Sequence, residues 1–195
     1  DLAQDFGLAT RDIMNEPNYQ AIFGTKLRDD TRAKGKWMTE GGGGYTATGV
    51  GGPITGRGFR IGIIDDPFKN REEANSETIR NKIWNWWSST FYTRQEPVSM
   101  IVVINTRWHL DDLVARIEQQ ERELESGGTP YDKWEYITFP AIAEENEDHR
   151  KSGEALWPTQ FPLVKLEQIR NALGPYDWAS LYQQHPLPLG NQEFK

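Results

Sequence analysis

Residues 60–70 read RIGIIDDPFKN, with two adjacent carboxylates, Asp65 and Asp66, standing between a short apolar run and a proline. Two readings fit that arrangement. Aspartate and proline both favour turns, so the pair can simply open a turn after a strand. Alternatively, four apolar strand residues followed by two acids make a Walker-B motif. Its first acid holds the water shell of Mg²⁺ and its second orients, or deprotonates, an attacking water. Magnesium prefers hard oxygen ligands and keeps several waters, so one carboxylate plus the phosphates of a nucleotide suffices.

A second apolar run, VSMIVVI at 98–104, ends in NTRWH, residues 105–109. An amide, a hydroxyl, a guanidinium and an imidazole then follow the strand. Thr106 is either a local cap in a strand-to-helix turn or a group that senses the γ-phosphate or the attacking water from the neighbouring strand. His109, beside an aromatic, is weak evidence for catalysis. Upstream, GPITGRG places Arg57 between two glycines, where a guanidinium on a bare backbone can be presented to a phosphate or to a neighbour. No G-x-x-x-x-G-K-[ST] phosphate cradle occurs, and Gly35-Lys36 lacks both the upstream glycine and the hydroxyl. A G-x-S-x-G elbow, zinc-ligand spacing and an EF-hand loop are also missing from the sequence.

Ligands of open parallel sheets bind beyond the carboxyl ends of the strands, so the elements around these residues matter. Leu2, Phe6, Ala9 and Ile13 fall on one face of a first helix that is already running at residue 1, which points to a start inside a domain. NYQAIFGTKL predicts a helical turn, LRDDTRAKGK a polar, mostly basic loop, and KWMTE and YTATGV short strands. Half of the 18 glycines lie in 41–58, where the backbone must bend sharply or lie close to something. After the RIGII strand, Ile79, Ile83, Trp86, Trp87, Thr90 and Phe91 mark a helix over roughly 72–94. The wholly apolar 98–104 run suits a parallel strand buried on both faces.

LDDLVARIEQQERELES predicts an amphipathic helix with Leu110, Leu113, Val114, Ile117 and Leu124 inward, and with Asp111 and Asp112 in its first turn. WEYITFPAI reads as a third strand, AEENEDHRKSG as a charged loop, and FPLVKLEQIRNALG and YDWASLYQQ as two helices. HPLPLGNQEFK is too rich in proline for regular structure and reads as a linker. Strands alternating with helices predict an α/β fold with parallel strands.

Composition narrows the classes. A chain of 195 residues is one domain, or one domain with an appendage, and can bury a full core. No apolar run is long enough to span a bilayer, so no membrane partner is expected, and without cysteine there is neither disulfide nor thiolate chemistry. The net charge of −7 argues against a surface that simply coats nucleic acid, though not against a local basic track. Lys26, Arg28, Arg32, Lys34 and Lys36 form either such a track or a solvated face. Trp84, Trp86, Trp87 and Trp108 suit a core or an interface more than base stacking.

The blocks GVGGPITGRGFRIGIIDDPFKNREEANSETIRNKIWNWW, NTRWHLDDL, FPAIAEE, GEALWP and WASLYQQHP together resemble the large terminase subunit of tailed bacteriophages and prophages. That family comprises DNA-packaging motors with an N-terminal ATPase and a C-terminal ribonuclease-H-like nuclease. The resemblance implies a P-loop NTPase-like fold of the additional-strand, catalytic-glutamate branch, a mainly parallel sheet flanked by helices. It implies ATP as substrate and Mg²⁺ as cofactor. Asp65 matches the Walker-B magnesium acid, Asp66 the catalytic carboxylate, Thr106 the coupling motif and Arg57 the arginine before Walker B.

The family carries its P-loop upstream, so the expectation is an N-terminally incomplete ATPase domain over 1–184. Residues 185–195 would lead toward an absent nuclease. Implied partners are double-stranded viral DNA, the portal protein, the small terminase subunit and further copies of the subunit in a ring on the prohead. The implied location is the host bacterial cytoplasm, transiently at the portal vertex. Two departures matter: the P-loop is missing from this sequence, and Asp66 is a methylene shorter than the usual glutamate, so it must approach closer or act through water. Two alternatives stand beside this reading, a non-catalytic fragment that only binds partners and a metal-dependent nuclease using Asp65 and Asp66.

Overall fold

The computed structural model describes residues 2–188 apart from 53, 55 and 57. Helix α1 (Leu2–Met14) and the short α2 (Pro17–Phe23) precede three antiparallel strands in the order β1-β2-β3, at Leu27–Ala33, Lys36–Thr39 and Gly44–Thr46. The expected face of α1 is not the buried one. Leu2, Phe6 and Ile13 are more than half exposed, while Gly7 and Met14 are buried. The cause is Gly7, whose missing side chain lets the helix lie against the strands. The Trp37 indole N–H donates to the Gly7 carbonyl at 2.9 Å, and a Cβ at Gly7 would collide with the Tyr45 ring. Tyr45 adds a hydroxyl bond to the Ala3 carbonyl at 2.6 Å.

The stretch read as a basic loop is instead strand β1, paired with β2 through Ala33↔Lys36 and Arg32↔Trp37. Its partner strand is held in place by buried Trp37, so the ladder forms although β1 itself buries little beyond Leu27. Much of its positive charge is paired locally. Arg28 binds Asp30, Arg32 binds Asp29 at 2.8 Å, and Lys34 binds Asp5, all at exposed positions. The solvated-face reading fits this region better than a track for phosphates.

Strand β4 (Phe59–Asp65) runs parallel to β5 (Gln95–Ile104), in register from Ile61↔Met100 to Asp65↔Ile104. The expected burial on both faces does not hold among the described residues. Gly62, Ile64, Ile101 and Val103 turn toward the core, while Ile61, Ile63, Met100 and Ile104 on the other face are more than half exposed. Helices cover only the first face, so the side-chain alternation of a strand becomes an alternation in burial. The connection is helical over nearly the predicted span, but in pieces. Asn70 caps α3 (Arg71–Asn75) by accepting from the Glu73 N–H at 3.0 Å, and Ser76 ends it and caps α4 (Glu77–Trp86). A π-helical turn, Trp87–Phe91, then widens the helix and brings the successive Trp86 and Trp87 rings to 5.3 and 5.8 Å from Phe91. Ile83, Trp86, Trp87 and Phe91 are buried, and Trp84 and Trp108 pack against them, so the tryptophans do serve the core.

Gly62 meets this aromatic cluster edge-on: a Cβ there would lie 2.6 Å from Phe59 and 2.7 Å from Phe91. Gly62→Ala is therefore expected to destabilise the chain by about 1–3 kcal/mol through overpacking. Urea unfolding at unchanged midpoint would show that the two rings simply move aside.

Asp112 caps α5 (Leu113–Ser126), accepting from the Ala115 N–H at 2.9 Å, and Leu113 and Ile117 are its buried positions. Leu110 lies before the helix and is exposed, contrary to the inward face expected of it. The third predicted strand, WEYITFPAI, does not form. Only Ile142 makes a bridge, to Ala155, and Ile137 and Phe139 are exposed. Its sequence favours a strand, but no described neighbour supplies a ladder to realise that preference. Helix α6 (Leu163–Asp177) follows Pro162, breaks at Gly174 (φ 77°, ψ 171°) and Pro175, and continues as a π-helical turn, Trp178–Tyr182. Residues 185–188 have no regular structure, and the remainder of the expected linker lies outside the described residues.

Candidate functional site

Parallel pairing brings both polar strand ends to one level. Asp65 is the last residue of β4 and faces Ile104, the last of β5, so Asp66 and Asn105 leave the sheet side by side. The Asp66 N–H donates to the Ile104 carbonyl at 2.9 Å, extending the ladder by one bond. Its backbone then turns into the left-handed region, with φ of 39°. Aspartate tolerates that conformation better than most residues because its short side chain bonds locally. Here the partner is across the strands: Asp66 Oδ1 accepts the Thr106 N–H at 2.7 Å. Pro67 and Phe68 are buried directly afterwards, so the chain is anchored on the core while both acids remain exposed.

The Asp65 side chain makes no hydrogen bond or ion pair among the described residues, which leaves its carboxylate oxygens available. The same holds for the Thr106 hydroxyl, while the Thr106 carbonyl accepts from the Trp108 N–H at 2.9 Å. Thr106 thus faces Asp66 through its backbone and keeps its side-chain oxygen free. Arg57 lies outside the described residues.

The rest of NTRWH is structural. Arg107 does not project beyond the strand end: its Nε donates to Asp112 Oδ2 at 2.8 Å, and Asn105 Nδ2 donates to the same oxygen at 3.3 Å. His109 Nδ1 accepts the Asp111 N–H at 2.9 Å, and desolvation, with Arg80 nearby, holds the imidazole below its ordinary range. Asp111 is gripped by Arg116 through two bonds of 2.7 and 2.6 Å and by Arg80 at 2.9 Å, and Arg116 above all keeps its carboxyl low. Asp111 and Asp112 are therefore committed to the helix start and the turn before it, as their position in the sequence suggests.

Sequence reasoning placed Asp112 at the helix start but missed its hold on the turn before it. Asp112 is fully buried and holds both flanks of Thr106 as well as capping α5. The signal that could have found it is the pair of donors, Asn105 and Arg107, a few residues ahead of the Asp111-Asp112 pair.

A family model described as terminase large subunit, T4-like virus type, N-terminal, matches residues 6–175. The chain belongs to that family. The match runs from α1 to the break in α6 and so includes both strand ends with their acids. Membership ties this terminase chain to the packaging of phage DNA. No curated protein matches it. Among its described residues no helix is long and apolar enough to cross a membrane, and no three His, Cys, Asp or Glu side chains cluster in a way that would hold a metal ion by themselves.

Proposed function

We propose that this terminase chain is part of an ATP-hydrolysing motor that drives double-stranded viral DNA into the prohead. In this reading Asp65 is the magnesium acid and Asp66 the carboxylate that orients and deprotonates the attacking water. The observation that carries it is the pairing of strand ends, with the Asp65 carboxylate free at the end of β4 and Asp66 bonded to the Thr106 N–H beyond β5. The donor chemistry suits Mg²⁺, because one unengaged carboxylate is enough for an ion that keeps most of its waters and shares the phosphates. Bound with nucleotide, that ion neutralises phosphate charge.

The chain's own residues would divide the work. Asp65 fixes the ion's water shell, Asp66 holds the nucleophilic water, and the Thr106 hydroxyl reports the state of that water to β5. What they lack is a grip on the β- and γ-phosphates, since no Walker A sequence occurs among the 195 residues. A P-loop NTPase-like sheet of the additional-strand, catalytic-glutamate branch would add strands beside β4 and β5. The exposed apolar face of that pair suits a second covering layer, and WEYITFPAI, with a single bridge at Ile142, suits a further strand. Arg57 would act as an arginine finger on the next subunit of a ring. The portal protein and the small terminase subunit would complete the assembly at the portal vertex, within the host cytoplasm.

The nuclease alternative is less well supported, because the best other candidate acids, Asp111 and Asp112, are held by Arg80, Arg107 and Arg116. A second metal would have to displace those pairs.

The test is magnesium-dependent ATP binding by the full-length large subunit that carries this sequence. Asp65→Asn is expected to weaken it roughly 10–100-fold, the usual worth of a carboxylate that acts through the ion's waters. Unchanged affinity in titrations with and without Mg²⁺ would leave the pair as a turn.

A further inference from the structure

One side chain joins the turns that follow β4 and β5 to the C-terminal helix. Arg71, the first residue of α3, donates from Nη1 to the Trp108 carbonyl at 3.2 Å. Its Nη2 pairs with Asp177 at the end of α6. Its guanidinium carbon lies 4.5 Å from the centre of the Tyr176 ring and 5.3 Å from that of Trp108. Arg71 is mostly withdrawn from solvent, Asp177 only partly, and Tyr176 is buried, so this pair is less open to water than a fully exposed one. A planar guanidinium can offer hydrogen bonds from its edge and a face to aromatic rings at once; a lysine cannot.

The three segments that meet at this cation have distinct relations to the acids. Arg71 follows Asp66 within the same turn and helix start. Trp108 ends the short turn whose other end, the Thr106 N–H, rests on Asp66. Tyr176 and Asp177 lie just beyond Gly174, whose φ of 77° favours glycine, and Pro175. A helix broken there can swing its last turn by changing a few backbone angles, which is how hinges absorb motion.

We propose that Arg71 is a positioning residue. It fixes the Thr106–Trp108 turn against the Gly174–Pro175 break, so that a rearrangement at the two acids moves the segment from Gly174 to Gln183. The proposal rests on the reading of Asp65 and Asp66 as a nucleotide site. It adds the route by which that site reaches the C-terminal end of the chain.

The experiment is amide hydrogen exchange on the full-length large subunit, with and without Mg²⁺ and a slowly hydrolysed ATP analogue. Wild type, Arg71→Lys and Asp177→Asn are compared. In the wild type, the analogue is expected to change exchange at 65–70, at 105–109 and at 174–183. In both variants the responses at 65–70 and 105–106 persist, while that at 174–183 is lost. A purely structural role would raise exchange around Arg71 equally with and without the analogue and leave the 174–183 response in place. That pattern, or a wild type responding at 65–70 but not at 174–183, overturns the proposal alone. No response at 65–70 in the wild type overturns the nucleotide reading and the proposal with it.

Discussion

Asp66→Asn is expected to lower ATP hydrolysis by the full-length large subunit about 10²–10⁴-fold, the range that a positioned general base contributes, while nucleotide affinity stays near that of the wild type. Geometry makes asparagine the informative substitution. It keeps an oxygen in place of Oδ1 to accept the Thr106 N–H, and it tolerates the left-handed backbone that Asp66 adopts at φ 39°. The turn should therefore survive, and what is removed is the negative charge that would hold and deprotonate water. Alanine would conflate the loss of charge with the loss of the cross-strand bond. Single-turnover rates, measured beside equilibrium nucleotide binding, separate the two effects. Hydrolysis within a factor of about three of wild type would remove Asp66 from the chemistry and return the pair to a turn.

The candidate site was readable because its signal is local. An apolar run, two acids and a proline fix where a strand ends and what stands beyond it, and a second run ending in NTRWH supplies the neighbour. The contact between them, Asp66 to the Thr106 N–H, follows once the strands pair in parallel. The inward aromatic stripe of α4 and the π-helical turn was legible for the same reason, since helical spacing alone places Ile83, Trp86, Trp87 and Phe91 together.

What was not legible depends on partners distant in the chain. The polar β1 is a strand because β2, held by Trp37, lies beside it. WEYITFPAI, with a far better strand composition, stays outside any ladder because its one bridge, Ile142 to Ala155, is not extended by any described neighbour. The face of α1 was misread because one glycine outweighs three large apolar residues. Gly7 allows close approach to Trp37 and Tyr45, and Leu2, Phe6 and Ile13 follow to the outside. The grip of Arg71 on Tyr176 and Asp177 leaves no trace in the local sequence at all.

Asp112→Ala is expected to cost about 2–4 kcal/mol of stability, combining a lost N-cap of about 1 kcal/mol with about 1–3 kcal/mol for the groups left unpartnered. The cap bond is that from the Ala115 N–H, and the groups left unpartnered are Arg107 Nε and Asn105 Nδ2, all three of which converge on this one fully buried carboxylate. Asp112→Asn should fall between alanine and wild type, since its oxygen can still cap α5 but its amide cannot pair with Arg107. The pH dependence has a definite sign. Burial raises the Asp112 carboxyl above its ordinary value, against the pull of Arg107 and of the Ala115 N–H. The folded chain then binds a proton here more readily than the unfolded one, so this group's contribution to stability falls as pH rises from the ordinary carboxylate value through the raised one. Urea titrations of wild type and Asp112→Asn across that window should diverge with this slope. Because Asn105 and Arg107 flank Thr106, loosening Asp112 also frees the backbone that meets Asp66, so the variant's Thr106 N–H should exchange faster well below the unfolding midpoint. An Asp112→Ala chain within about 0.5 kcal/mol of wild type would show that the 105–107 turn is held by the Asp66 bond alone.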